Sequence, residues 1–429
     1  MRRISKPVLL LAVSFAQANA QDVKLTTYEF KQPPVIGEYH GVAIHDGGIS
    51  GMSYIQGSRN EFYLLTDRGP NADAANANGG TETKIFPFPK FAPKILKVRA
   101  EGDSLRILET LTLKLPGGAT ATGIPHPLGK GESGEVAWSD TNKTPVNLDE
   151  WGIDSESLGI SNDGNFWIGD EYSPSIWRVN GKSGELFTRY SPYGNSTHES
   201  AIDSVLAKRR PNRGFEGIAC TPSGKVYAIL QAPIYNPNKA AGESTRLHRI
   251  LEIDPGTNAT RVFAYEHELP TGSIRNKDWS IGDMTSINDH EFLVIEHASR
   301  NGENVRKIFK INLASATPIT RESFDGKTFE QLENAAGCMA HGIIPVKKTL
   351  YFDLLANGWD AKYDKPEGIA VVNDTTIAVI ADNDFGVEAP NLDGILIGTD
   401  KKTVLHEFTV PRSMALNVVN GNRKAVAGN

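Results

Sequence analysis

Short apolar runs alternate with polar turns along this chain, and the alternation recurs in five related segments. They are ISGMSYIQGSRNEFYLLTDRGPN (49–71), DSESLGISNDGNFWIGDEYSP (154–174), GFEGIACTPSGKVYAILQAP (214–233), GDMTSINDHEFLVIEHAS (282–299) and KPEGIAVVNDTTIAVIADNDFG (365–386). Each opens on a small or acidic residue and continues as a short apolar strand. Four of them then turn on Asn162-Asp163-Gly164, Pro222-Ser223-Gly224, Asn288-Asp289 or Asn373-Asp374. A second apolar strand follows and ends in a polar cluster. Asn, Asp and Gly between apolar runs favour tight turns, so each segment predicts a β-hairpin.

Further strand-like runs follow the hairpins: Ile176–Val179 with Leu186–Tyr190, Leu247–Ile253 with Arg261–Tyr265, and Ile308–Ile311 with Pro318–Phe324. Four strands per repeated unit is the blade pattern of an all-β β-propeller. The count is five or six four-stranded blades, a sixth being available from Lys24–Phe30 and Thr403–Val410. Residues 116–150 are Gly/Pro-rich and aperiodic and read as loop. A helix is expected at Glu199–Arg209, from a Ser196/Glu199 capping box, the apolar face Ile202, Val205 and Leu206, and the stop at Pro211. A shorter helix is expected at Phe329–Asn334.

Hairpin geometry sets the beginning of one strand beside the end of the next. The opening positions hold Ser50, Glu156, Glu216, Asp283 and Glu367. The closing positions hold Asp67, Glu171 with Asp170 before it, Gln231, Glu296 and Asp382. If the hairpins are the inner strands of blades, a mostly acidic ring surrounds one mouth of the central channel. Two carboxylates about 5 Å apart repel by roughly 3 kcal/mol at an effective dielectric of about 20. Raised pKa values, basic neighbours or bound cations relieve this. Hard divalent ions, above all Ca²⁺, suit such oxygen ligands. The expected metal ligands are Asp67, Asp170, Glu171, Asp283, Glu296, Glu367 and Asp382. Glu156 or Glu216 is the expected general base, and Arg68 with Arg213 the expected phosphate clamp. The alternative for the opening Glu residues is structural, each bonding backbone N–H groups of the next blade.

The 429 residues include 41 Gly and 24 Pro, in keeping with many short strands and turns, and the formal charge is −6. That acidity argues against nucleic acid or an anionic membrane as partner. Arg2, Arg3 and Lys6, the apolar Pro7–Phe15 and Ala18-Asn19-Ala20 form a signal peptide over residues 1–20, which predicts export to the periplasm or beyond, with 21–429 as a single domain. No stretch predicts a membrane span. Cys220 and Cys338 are available to pair in such a compartment, or to remain as two buried thiols.

The segments FYLLTDRGP (62–70), DSESLGISNDGNFWIGDEYSPSIWRV (154–179), NRGFEGIA (212–219) and KPEGIAVVND (365–374) resemble the phytase-like propeller family, "esterase-like activity of phytase", across essentially the whole mature chain. The resemblance implies a propeller, an extracytoplasmic location and phosphoester hydrolysis supported by acidic residues. The expected function is therefore a metal-assisted hydrolase acting on a small-molecule phosphate ester. The alternatives are a non-catalytic binding propeller and a metal-dependent lactonase or carboxylesterase. Other motifs fail. Gly129-Lys130-Gly131-Glu132-Ser133-Gly134 follows no strand and opens no helix, as a dinucleotide site requires. There is no G-x-S-x-G and no R-H-G-x-R-x-P. His198-Glu199 lacks the second His of H-E-x-x-H, and Asp382-Asn383-Asp384 lacks the ligand spacing of a calcium loop. His126, His198 and His341 are scattered and read as ordinary histidines.

Overall fold

The computed structural model describes residues 23–77, 81–127, 134–363 and 365–418. The leader (1–20) and most of the G-x-G-x-x-G run (129–133) lie outside the described residues. The chain is all-β and propeller-like. Among the described residues, four-stranded antiparallel units recur five times. The first contains Ile49–Tyr54, Glu61–Thr66, Lys94–Glu101 and Ser104–Thr112, and the second Ser155–Ile160, Phe166–Asp170, Ser175–Val179 and Leu186–Ser191. The third contains Phe215–Cys220, Val226–Leu230, Leu247–Asp254 and Ala259–Glu266, and the fourth Trp279–Ser286, Glu291–Arg300, Glu303–Asn312 and Lys347–Asp353.

The fifth unit joins the two ends of the chain. Pro366–Asn373 pairs with Thr376–Ala381, that strand with Val404–Thr409, and Val404–Thr409 with Lys24–Glu29. The N- and C-terminal runs therefore complete this sheet and do not form a sixth unit. Lys24–Glu29 is its outer strand, and its antiparallel register with Val404–Thr409 fastens the beginning of the chain to the end.

Apolar side chains between neighbouring sheets hold the ring. Leu65 and Ile95 meet Ile168 and Trp177 between units one and two. Trp167 and Ile176 meet Phe215 and Val226 between two and three, and Tyr227 and Ile250 meet Met284 and Phe292 between three and four. Ile308 and Phe352 meet Ile369 and Phe408 between four and five, and Ile380 and Leu405 meet Met52 and Phe62 between five and one. The innermost strands are covered on both faces, which is why they read as nearly continuous apolar runs.

Two expectations change. Glu199–Ala201 is a short strand parallel to Leu186–Ser191, and only Ser204–Lys208 turns helically, capped by Asp203. Glu199 is drawn to Arg189 in an ion pair, so it does not close a capping box. Pro318–Phe324 is not the outer strand of unit four: Lys347–Asp353 is, and the residues between carry the helical turn Glu330–Leu332 and the helix Ala335–Ala340. Of the two alternatives for the cysteines, the structure has the second: Cys220 and Cys338 form no disulfide and lie buried in separate apolar clusters.

Candidate active site

The first strand of every unit carries a β-bulge near its start. Pairing jumps from Ile49 to Gly51, Ser155 to Ser157, Phe215 to Gly217, Ile281 to Asp283 and Pro366 to Gly368. The bulged residues are therefore Ser50, Glu156, Glu216, Gly282 and Glu367. A bulge re-aims the side chain it displaces, and all of these except Gly282 line one cavity of about 490 Å³. The second strands deliver Asp67, Glu171, Gln231, His297 and Asp382 to the same cavity. After the hairpin of unit one, the paired strands Ala72–Ala77 and Thr81–Ile85 add Asp73 and Lys84 to its wall, and the turn after the hairpin of unit five adds Asp384 and Phe385.

Unit four departs from the sequence expectation by one residue. Asp283 sits one place past the bulge, where three other units have Gly51, Gly217 and Gly368 against a neighbouring strand. Its carboxylate accepts N–H bonds from Met284 at 2.7 Å and from Ile369 of unit five at 2.8 Å. It is a buried clip between units. Glu296 also points away from the cavity: it accepts bonds from the Tyr265 hydroxyl, the Lys348 ammonium and, at 3.0 Å, the Glu268 N–H. Asp170 is saturated by the N–H groups of Asp154 (3.1 Å), Tyr172 (3.0 Å) and Ser173 (3.3 Å) and by the Ser175 hydroxyl at 2.7 Å. None of these three lines the cavity.

Arg68 does line it, but its guanidinium is committed. Nη1 lies 3.0 Å from Glu135 Oε2, 3.0 Å from the Tyr172 hydroxyl and 3.4 Å from Asp154 Oδ2. The group also stacks over the Phe86 and Tyr172 rings. Arg213 is more available: only Nη1 is engaged, with Glu171 Oε1 at 3.3 Å and the Asn212 carbonyl at 2.7 Å, and a third of its side chain is exposed. Lys365, absent from the sequence expectation, reaches Asp382 at 3.1 Å and Asp384 at 3.0 Å.

Asp154, Glu156 and Glu171 are the densest group. All three are buried, and one oxygen from each lies within 4.8 Å of the others. Asp154 Oδ1 is buried without a hydrogen-bond donor. Burial and the neighbouring charges of Asp154, Glu216, Glu171 and Glu367 push the Glu156 carboxyl well up. Burial raises Glu171 to about 7 against the pull of Arg213. Burial with Asp384 raises Asp382 to about 7. Asp384 goes the other way: burial opposes ionisation, yet Lys365 and a hydrogen bond from Asp382 hold it down to about 2. Burial lowers His297 to about 3 and keeps it neutral. Three mutually repelling carboxyls with an unsatisfied oxygen fit a hard divalent cation. The sequence reading had passed over Asp154, although it opens the second segment two residues before Glu156.

A family model described as "Phytase-like: Esterase-like activity of phytase" matches residues 44–385. An "Uncharacterized secreted protein" of Arthroderma benhamiae is 21% identical over 310 residues, which are 60% of this chain and 59% of that protein. The match thus spans about three fifths of that relative. A solved Lactobacillus plantarum protein is 10% identical at a TM-score of 0.36, covering 90% of this chain and 99% of that one. The PQQ-bound aldose sugar dehydrogenase of Streptomyces coelicolor is 12% identical at a TM-score of 0.33, with the same coverage of 90% and 99%. Among the described residues no helix is long and apolar enough to cross a membrane.

Proposed function

Because this chain belongs to the phytase-like family, we propose that it is an exported, metal-assisted hydrolase of phosphate esters, built as a five-bladed propeller and acting at the acidic mouth. The observation that carries the reading is the buried Asp154–Glu156–Glu171 group beside Arg213 in an open cavity. The five inter-sheet cores support the blade count. The family and the relative described as secreted support export.

Asp154, Glu156 and Glu171 would hold the cation, Ca²⁺ being the hard ion suited to three carboxylates. When bound, it supplies positive charge that offsets these carboxylates and polarises the phosphoryl group. Arg213 keeps the phosphate-binding role expected of it, and Lys365 takes the place of Arg68, which serves instead to position Asp154. Glu216 is the general base. Its Oε1 accepts a 2.7 Å bond from Gln231 Nε2, and its Oε2 is buried without a donor. A raised carboxyl pKa suits a base working near neutrality. Water attacks phosphorus, its proton passes to Glu216 Oε2, and the ester P–O bond breaks, the leaving alcohol taking its proton from solvent.

The test is a panel of phosphomonoesters and phosphodiesters with the mature protein and Ca²⁺ or Mn²⁺. Turnover is expected, with Glu216→Gln losing kcat and Arg213→Ala raising KM. No turnover of any phosphate ester sinks the assignment. Turnover confined to lactones or carboxylesters moves the same cavity to that chemistry.

A further inference from the structure

Gly282 breaks the ring of bulged side chains, and residues of units three, four and five line the cavity on this side with unpartnered polar atoms. A Cβ at Gly282 would collide with the carbonyl oxygen of Pro366, the residue before Glu367, so no side chain fits there. Ile295 Cγ2 at 3.1 Å and the His297 ring, whose Cδ2 is 3.3 Å from that Cβ position, close the rest of that position. On the other side, the Ile281 N–H donates to the Gln231 carbonyl at 3.0 Å, which fixes Gln231 against unit four. Gln231, His297 and Glu367 all line the cavity. Each has a buried polar atom with no hydrogen-bond partner: Gln231 Oε1, His297 Nε2 and Glu367 Oε2. Gln231 and Glu367 are themselves only 8% and 5% exposed. Unsatisfied buried polar atoms are costly singly, and three on adjacent units lining one cavity point to an ion.

We propose that Gln231 Oε1, His297 Nε2 and Glu367 Oε2 form a second cation site on the unit-four side of the cavity, separate from the Asp154–Glu156–Glu171 group and selective for a divalent transition ion. The donors come from units three, four and five, whereas the carboxylate triad belongs wholly to unit two. One carboxylate, one amide oxygen and one imidazole nitrogen form a poorer set for Ca²⁺ or Mg²⁺, which favour oxygen ligands. The same set suits Mn²⁺, Co²⁺ or Zn²⁺. Three protein ligands also leave coordination positions open to water or substrate. Lys365 is tethered to Asp382 and Asp384 and so does not already satisfy Glu367 Oε2.

Mn²⁺ is the probe, titrated into the full mature chain in the presence of excess Ca²⁺ and read by electron paramagnetic resonance and equilibrium dialysis. One Mn²⁺ per chain is expected to remain bound. His297→Gln and Glu367→Gln should each weaken it by about tenfold or more. Glu171→Gln should leave Mn²⁺ affinity within about twofold, as for independent sites. Thermal melting checks that the variants fold, and His297→Gln, at a partly exposed position, decides the matter if Glu367→Gln does not fold. Complete displacement of Mn²⁺ by Ca²⁺, or Mn²⁺ binding indifferent to His297→Gln, overturns the site while leaving the triad standing. Ca²⁺ binding indifferent to Glu171→Gln removes the triad and leaves this site standing.

Discussion

Replacing Glu171 by Gln should stabilise the metal-free protein at pH 8 and do almost nothing at pH 5. Burial raises the folded-state carboxyl to about 7, against 4.5 for an unexceptional glutamate. A folded pKa above the unfolded one means that the folded state binds the proton more tightly. The penalty for ionising Glu171 is thus absent well below pH 4.5, grows between 4.5 and 7, and is complete above 7. At pH 8 that gap is worth about 3 kcal/mol, and at pH 5 less than about 1 kcal/mol. Gln keeps the shape without the charge and so escapes the penalty. The 3.3 Å attraction of Arg213 is already contained in that value of about 7, so its loss is not subtracted again. A net gain of about 3 kcal/mol at pH 8 follows, fading to under about 1 kcal/mol at pH 5. Urea unfolding with chelator at both pH values measures it. Calcium should nearly cancel the difference at pH 8, because Ca²⁺ at about 100 times its Kd stabilises the wild type by about 2.7 kcal/mol and the variant hardly at all. An effect of equal size at pH 8 and pH 5, or equal calcium stabilisation of both proteins, would refute the reasoning.

Asp283→Asn should cost about 1–3 kcal/mol, because one of its two backbone N–H partners loses its acceptor, yet leave calcium binding unchanged; thermal melts with and without Ca²⁺ read both. Arg68→Met removes the guanidinium between Glu135 and Asp154 and should lower stability by about 3–5 kcal/mol in a denaturant titration. Both thiols should resist alkylation in the folded protein and react after denaturation without reductant, as counted by mass spectrometry; a disulfide between Cys220 and Cys338 would contradict their separation into two clusters.

The repeat was legible because each hairpin is a local object, with its own turn residues and its own pair of apolar runs. Closure was not. Val404–Thr409 and Lys24–Glu29 are adjacent only in space, and no periodicity within either run says whether they complete a sheet or begin a new one. The outer strand of unit four was missed for a related reason. The insertion ahead of it contains Pro318, which forms an isolated bridge with Phe263 and so has strand-like character without belonging to a sheet.

The acidic mouth was legible as a cluster but not residue by residue, and unit four shows why. Aligning the segments on acidic residues sets Asp283 beside Glu216. Aligning them on the apolar residue two places after the bulge sets Met52, Leu158, Ile218, Met284 and Ile369 together, and Gly282 then falls opposite Glu216. The second alignment is the physical one, because those apolar residues are buried between sheets and cannot shift without emptying the core. A carboxylate one position away meets entirely different surroundings: Asp283 holds backbone, while Glu216 faces the cavity. The period-two geometry of a strand is interrupted at each bulge, so the side chain displaced there follows no alternation that a sequence pattern reveals. The same slip gave Glu296 the closing position that His297 holds. Core-anchored alignment therefore decides which acidic residues keep the sheets together and which are left with oxygens to offer an ion.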